Sequence, residues 1–208
     1  MRLPRAVVFD IYGTLLRCEP APRSGADWQR EIGQSREAFL ARIQAEIARR
    51  HARSRQNGIA HPEVQWPEIV QAVAPGVSPA RAARFERRTE IQPGALAVLD
   101  WLRARNVPLG LVSNAQAYTL EELAECSIPP EGFAIRFLSY ERGFSKPDPG
   151  VFRWIAEAWA PFSPAEILIV GDREDNDIQP ARAAGFATWQ VTDAGLNPLL
   201  DWLKSLDR

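Results

Sequence analysis

Three short apolar runs in this sequence each end in polar residues, and this pattern limits the folds that the chain can adopt. Short apolar runs that alternate with longer helical patterns predict a parallel β-sheet with right-handed crossovers. Ligands of such sheets bind at the carboxyl ends of the strands, so the polar residues there mark a candidate site. The runs and the residues that follow them are Ala6–Phe9 with Asp10, Leu109–Val112 with Ser113 and Asn114, and Ile167–Val170 with Gly171 and Asp172.

The region between the first two runs predicts an inserted helical unit. Residues 17–88 contain a helical pattern that begins near Ser35, an N-cap residue, and places Phe39, Ile43 and Ile47 on one face. Prolines divide the remainder of this region, and we expect about four helices in all. After about residue 107, strands and helices alternate to the end of the sequence. The sequence therefore predicts an α/β fold with a parallel sheet and a helical insertion.

The composition is that of an ordinary globular protein. The 208 residues carry a formal net charge of −1 and 46% of them are hydrophobic, which argues against a disordered chain. The two cysteines, Cys18 and Cys126, have no metal-like spacing, so we expect a reduced, cytoplasmic protein. No run is long enough for a signal peptide or a membrane-spanning helix, and we expect no membrane partner. The sequence leaves the oligomeric state open.

Charge is distributed unevenly along the chain. Residues 17–88 hold thirteen arginines and eight acidic residues, a net charge of +5, whereas the rest of the chain carries −6. Aromatic residues do not alternate with the arginines, so we expect no nucleic-acid binding. A basic face of this kind is usually only solvated. If it lies over Asp10, it would attract a small anionic substrate.

Basic and acidic residues near the other strand ends indicate how a carboxylate could approach an anion. Lys146 is one of only two lysines in the chain and lies in a Lys-Pro-Asp-Pro turn, where it would act as a point charge. The segment from Asp172 to Asp177 holds four acidic residues in six, and such hard oxygen ligands suit Mg²⁺. The positive end of a helix dipole accounts for Glu174 and Asp175. We therefore predict Asp172 and Asp177 as the ligands.

Four segments, taken in order, resemble the motifs of the haloacid dehalogenase (HAD) superfamily, and together they span nearly the whole chain. The resemblance implies a Rossmann-like core of residues 1–16 and 89–208, with an α-helical cap at residues 17–88. It also implies hydrolase chemistry with Mg²⁺ as the cofactor. The segments are Asp10-Ile11-Tyr12-Gly13-Thr14, Ser113-Asn114, Lys146-Pro147, and Gly171-Asp172 followed by Asp177.

The resemblance also implies a role for each site residue. Asp10 would be the nucleophile and a metal ligand, with the hydroxyl of Thr14 in the same catalytic turn. Lys146 would balance charge, and Asp177 would support the metal or Lys146. Ser113 and Asn114 would hold the transferred group. The Tyr12 carbonyl and Asp172 would complete the metal ligands.

Position 12 departs from the phosphatase pattern of the family. Phosphatases that the motifs resemble usually have there an aspartate that acts as the general acid and base, but this chain has Tyr12, whose side chain we expect to face the cleft in its place. A phenol with a pKa of about 10 is poorly matched to that task. Packing Asp172 and Asp177 beside Asp10 without a cation would be costly, so we expect a Mg²⁺-dependent phosphatase that forms an aspartyl-phosphate on Asp10. Two alternatives stay open, a 2-haloacid dehalogenase-like hydrolase and a non-catalytic binding protein.

Overall fold

The computed structural model describes residues 2–207, which form a five-stranded parallel sheet, a separate two-stranded sheet and ten α-helices. The strands are β1 (Ala6–Phe9), β2 (Leu16–Pro20), β3 (Arg87–Ile91), β4 (Leu109–Ser113), β5 (Ile135–Leu138), β6 (Ile167–Gly171) and β7 (Ala187–Gln190). The helices are α1 (Gly25–Ile32), α2 (Arg36–Gln56), α3 (Trp66–Val73), α4 (Pro79–Arg84), α5 (Ala95–Arg103), α6 (Thr119–Glu125), α7 (Ser139–Arg142), α8 (Pro149–Ala158), α9 (Gln179–Ala183) and α10 (Asn197–Leu206).

The five-stranded sheet has the order β5-β4-β1-β6-β7, with β1 at its centre. All four neighbouring pairs are parallel, and each crossover contains a helix. The predicted α/β, Rossmann-like architecture is thereby confirmed. The central position of β1 follows from its sequence, because a strand that is apolar at every position must be covered on both faces.

Alternate residues of β1 enter two different hydrophobic clusters. Val7 and Phe9 pack on one face with α5, α6 and α10, whereas Ala6 and Val8 pack on the other with α8 and α9. This alternation follows from the two-residue period of a strand. The two clusters hold the sheet rigid on both faces, and the carboxyl end of β1 therefore presents Asp10 from a fixed backbone.

The insertion contains α1 to α4 with a hydrophobic cluster of their own, in agreement with the expected four helices. The Ser35 side chain caps α2 by accepting a hydrogen bond from the Ala38 amide, and Phe39 and Ile43 are buried as predicted. Two strands were not predicted. β2 and β3 pair antiparallel where the chain enters and leaves the insertion. Their sequences are short and rich in charged residues, and only Leu16 is fully buried, so hydrophobic periodicity gives no signal for them.

None of the helices between residues 2 and 207 combines the length and apolar character that a membrane span requires.

We expect Gly110→Ala to destabilise the protein. Gly110 lies in β4 opposite Ile135 of β5, and a Cβ atom on it would lie 2.8 Å from Cγ1 of Ile135. Overpacking of this kind typically costs about 1–3 kcal/mol, and the free energy of unfolding in urea should fall by that amount. Gly25→Ala is the matched control, because a Cβ atom there meets no neighbour within 4 Å. Equal stabilities of the two variants would contradict the packing described.

Candidate active site

The carboxyl ends of β1, β4 and β6 meet at one pocket. It encloses about 180 Å³, less than the roughly 300–1,000 Å³ usual for drug-sized ligands, so it suits a small chemical group. Most of the predicted site residues line it, together with two residues that the sequence analysis did not single out, Arg173 and Asn176. The lining residues are Asp10, Tyr12, Ser113, Asn114, Lys146, Asp172, Arg173, Asn176 and Asp177.

Lys146 is the charge centre of this pocket. Its Nζ atom lies 2.7 Å from Oδ1 of Asp10 and also contacts Oδ1 of Asp177, and all three side chains are almost fully buried. Burial raises the pKa of Asp10 to about 6, although Lys146 opposes that rise. Burial alone would lower the pKa of Lys146, but Asp10 and Asp177 outweigh it and raise that pKa. Lys146 is therefore a permanent positive charge beside the predicted nucleophile.

Asn114 fixes the backbone at Lys146. Its Nδ2 atom donates to the Lys146 carbonyl at 2.9 Å, and the Lys146 amide donates to its Oδ1 atom at 2.8 Å. Both ends of the side-chain amide are thus engaged with the backbone. Asn114 braces the lysine loop against the end of β4, while Ser113 lines the pocket beside it. Contact of either residue with a substrate stays a prediction.

Thr14 lies apart from the other predicted site residues. It is fully buried, it is not among the residues that line the pocket, and its hydroxyl has no hydrogen-bond partner among residues 2–207. The Thr14 amide donates to the Ile11 carbonyl at 3.2 Å, within the turn that follows β1. The structure thus places Thr14 in the support of that turn.

Three carboxylates converge where a cation could bind. One oxygen each from Asp10, Asp172 and Asp177 lies within 4.8 Å of the others. Asp177 is already satisfied, since Oδ1 contacts Lys146 and Oδ2 accepts the Arg173 amide at 3.0 Å. Asp172 is not, because its buried Oδ1 atom lacks a hydrogen-bond partner among the residues described. A buried oxygen of this kind is costly unless it is paired, so the residues present fit a hard cation such as Mg²⁺.

The turn after β6 holds these acidic residues at different depths. Glu174–Ile178 forms a π-helical turn, and Gly171 lets it approach closely, because a Cβ atom there would lie 2.5 Å from that of Asp177. Asp177 is buried in consequence, whereas the exposed side chains of Glu174 and Asp175 pair with arginines. This difference agrees with the sequence analysis, which attributed Glu174 and Asp175 to the end of a helix and assigned Asp177 to the site.

Tyr12 departs from its predicted orientation. Tyr12 is among the residues that line the pocket, but its hydroxyl donates to Oε2 of Glu122 and lies 3.1 Å from Oγ1 of Thr119. Burial and the bond to Glu122 raise the pKa of Tyr12 above its ordinary value. The hydroxyl is thus occupied by the core and does not take the place of an acid in the cleft. Glu122 escaped the sequence analysis because a glutamate in a helix is normally solvated.

A sequence model of haloacid dehalogenase-like hydrolases matches residues 4–185. The chain belongs to this family. The resemblance carried by the four motifs is thereby confirmed, and the protein is a HAD-type hydrolase.

Two relatives of this chain are named as phosphatases. The chain is 34% identical to a phosphoserine phosphatase of Thermus thermophilus over 116 residues, which are 55% of this chain and 45% of that protein. It is 28% identical to a phosphoglycolate phosphatase of Pseudomonas putida over 88% of this chain and 67% of that protein. This chain thus matches less than half the length of the first relative.

An L-2-haloacid dehalogenase has a similar structure. The two chains superpose with a TM-score of 0.64 at 20% identity, over 98% of this chain and all of the dehalogenase. At this identity the likeness shows the shared fold alone. The choice between phosphatase and dehalogenase therefore has to come from the site.

We expect Gly13→Ala to weaken Mg²⁺ binding. Gly13 has a φ of +81°, and a Cβ atom on it would overlap the Asp172 carboxylate, which would have to move. The control is Gly33→Ala, whose glycine has a φ of +80° with no atom within 4 Å of the added Cβ, so it shares the backbone strain without the overlap. Calorimetric titration should show weaker Mg²⁺ binding only in Gly13→Ala. Equal Mg²⁺ affinities of the two variants would mean that Asp172 does not bind the metal.

Mg²⁺ affinity should depend on pH in a defined direction. Burial raises the pKa values of both Asp10, to about 6, and Asp172. A protonated carboxyl is a poor metal ligand, so Mg²⁺ competes with protons. The apparent affinity should fall as the pH drops through about 6, and binding near that pH should release protons. Calorimetry in buffers of different ionisation enthalpy measures this release, and an affinity that is constant from pH 5 to 8 would contradict the assignment.

Proposed function

We propose that the protein is a Mg²⁺-dependent phosphatase that acts on a small phosphorylated substrate through an aspartyl-phosphate on Asp10. The observation that carries the proposal is the buried, unpartnered Oδ1 atom of Asp172 beside Asp10 and against Gly13. Such an acidic pair needs a cation, and a pocket that holds a cation as well as Lys146 suits an anionic phosphoryl group. The two phosphatase relatives support the same assignment.

In the proposed reaction, an oxygen of Asp10 attacks phosphorus and the bond from phosphorus to the leaving oxygen breaks. The electron pair of that bond remains on the leaving oxygen, and Lys146 offsets the negative charge gathered around the nucleophile. Mg²⁺, when bound by Asp10, Asp172 and the Tyr12 carbonyl, supplies further positive charge next to the phosphoryl oxygens. A water oxygen then attacks phosphorus and the bond from phosphorus to Asp10 breaks. Its electron pair returns to the Asp10 carboxylate, inorganic phosphate leaves, and one proton of the water passes to solvent.

Asp177 has a supporting role in this scheme. Both of its oxygens are occupied by protein donors, Lys146 and the Arg173 amide, so we assign it to holding the lysine rather than the metal. Ser113 and Asn114 lie at the end of β4, where they would contact the transferred group. Residues 17–88, which form the helical insertion, are proposed as the cap over the core of residues 1–16 and 89–208.

The pocket restricts which phosphorylated substrates can react quickly. The carboxyl groups that line it are Asp10, Asp172 and Asp177, and among residues 2–207 no further acid or histidine lines it. All three carboxylates have other tasks in the proposed reaction, and the Tyr12 hydroxyl is bound to Glu122. In the described part of the chain, no carboxyl group or histidine that lines the pocket is therefore free to protonate the leaving oxygen. We infer a preference for leaving groups that are stable as anions, such as phenolates and carboxylates.

A 2-haloacid dehalogenase-like hydrolase is the second candidate. Halide leaves without a proton, so such a reaction needs no acid at position 12, where this chain has Tyr12. In that reaction Asp10 would attack carbon, and no metal would be needed. The carboxylate of Asp172 argues against it, since without a cation it would repel Asp10. The alternative of a non-catalytic binding protein predicts no turnover of any ester or haloacid.

The protein should release phosphate from p-nitrophenyl phosphate and from acetyl phosphate far faster than from alkyl phosphates. Phosphoserine and phosphoglycolate are suitable alkyl substrates, because the relatives are named for them. General acid catalysis is typically worth about 10²–10⁴-fold, so the ratio of kcat/KM between the two classes should lie in that range. Phosphate release measured with and without Mg²⁺ tests this directly.

Asp10→Asn is the control for this prediction, and it should abolish release from every substrate. Equal rates on aryl and alkyl phosphates would mean that a proton donor acts from outside the pocket residues named above. Release of chloride from 2-chloropropionate without metal would favour the dehalogenase.

A further inference from the structure

Glu122 is a buried carboxylate that the proposed reaction does not use. It lies in α6 with only 1% of its surface exposed, and it does not line the pocket. Its oxygens nevertheless contact four side chains. Those are the Tyr12 hydroxyl, Nε of Arg84 at 3.0 Å, Nη2 of Arg87 at 3.2 Å and Oγ1 of Thr89 at 3.2 Å.

These partners come from two separate parts of the chain. Tyr12 belongs to the turn after β1 that carries the nucleophile, whereas Arg84 ends α4 and Arg87 lies in β3, where the chain leaves the insertion. The Arg87 guanidinium also lies 5.0 Å from the centre of the Tyr12 ring. One carboxylate thus joins the wall of the pocket to the exit of the insertion.

A second chain of contacts runs from the same tyrosine to Glu63 and Trp66 of the insertion. Thr119, next to the Tyr12 hydroxyl, accepts the Gln116 amide at 2.9 Å. The Gln116 side chain donates to Glu63 of the insertion at 2.6 Å, and its Oε1 atom accepts the Trp66 amide at 3.2 Å. The tyrosine is thus held between two contacts that connect the core with the insertion.

The charges show why Glu122 governs this arrangement. A carboxylate that is buried away from solvent is costly unless it is paired. The Arg87 guanidinium and the hydroxyls of Tyr12 and Thr89 form hydrogen bonds with Glu122, and Arg84 adds an ion pair. Loss of its charge would leave Arg87, which is largely buried, without its acidic partner. Because Glu122 does not line the pocket, it can affect a reaction there only through Tyr12 or through the insertion.

We propose that Glu122 is a positioning residue that fixes Tyr12, a residue that lines the pocket, and couples it, through Arg84 and Arg87, to the placement of the insertion. The kinetic part of its test rests on the proposed phosphatase activity. The proteolytic part does not.

Glu122→Gln is the first test, with Glu125→Gln as the matched control. Glu125 lies in the same helix and pairs with the same Arg84 at 3.2 Å, but its side chain is 64% exposed and Tyr12 is not among its partners. We expect Glu122→Gln to raise KM for p-nitrophenyl phosphate about tenfold, with kcat changed by less than about threefold, because the reacting groups are untouched. Glu125→Gln should leave both constants unchanged. Equal effects of the two variants would overturn the proposal.

Tyr12→Phe shows whether Glu122 acts through the phenol. This variant keeps the ring and removes the hydroxyl that binds Glu122, so it should also raise KM more than it lowers kcat. Combined with Glu122→Gln, it should add little to the single effects, because both changes remove one shared contact. A large loss of kcat on every substrate in Tyr12→Phe would mean that the phenol takes part in the chemistry. Additive effects would mean that the two residues act independently, and either result rejects the proposal.

Limited trypsin digestion tests the coupling without any substrate. Arg84, Arg87 and Arg88 provide cleavage sites at the exit of the insertion. Cleavage there under native conditions should be faster in Glu122→Gln and Tyr12→Phe than in the wild type or Glu125→Gln. If Glu122→Gln does not fold, Tyr12→Phe still decides the question. Equal cleavage in all four proteins would overturn the proposal, whereas faster cleavage in a protein without phosphatase activity would refute only the proposed function.

Discussion

The buried charge cluster of Asp10, Lys146 and Asp177 is the interaction on which the rest of the site depends. Lys146 lies in a loop between β5 and β6 and reaches the end of the central strand, where it contacts both carboxylates. Burial of any one of these charges alone would be costly, but together they offset one another. The cluster therefore requires that the loops after β1, β5 and β6 close on a single point, and the parallel sheet provides that geometry.

Asp172 is the residue that this cluster leaves unsatisfied. Lys146 pairs with both Asp10 and Asp177, while Asp172 faces Gly13 with a buried oxygen that lacks a partner among the residues described. Within the acidic segment after β6, Asp177 therefore positions Lys146, whereas Asp172 is suited to bind a cation. The position of Asp172 also explains why a glycine is required at position 13, because any side chain there would overlap the carboxylate.

Tyr12 connects the chemistry of the pocket with the architecture around it. In the proposed reaction the absence of an acid at this position favours substrates with stable leaving anions. Tyr12 lines the pocket, and its hydroxyl contacts the buried Glu122. From the motif alone, Tyr12 is noted only because it is not an acid. In the folded protein, it connects the nucleophile turn with α6 and with the exit of the insertion.

The sequence by itself determined the order of the five strands of the parallel sheet, the helical character of the insertion and the polar residues at the strand ends, because these depend on local periodicity and on short motifs. It did not predict β2 and β3, since both strands are short and lack an apolar periodicity. The role of Glu122 was also hidden, because its partners at positions 12, 84 and 87 are distant in the sequence. Only the tertiary structure decided which acidic residues were buried, which were paired, and where the Tyr12 hydroxyl pointed. Burial and pairing are properties of contacts between distant segments, and those contacts exist only once the sheet has brought the segments together.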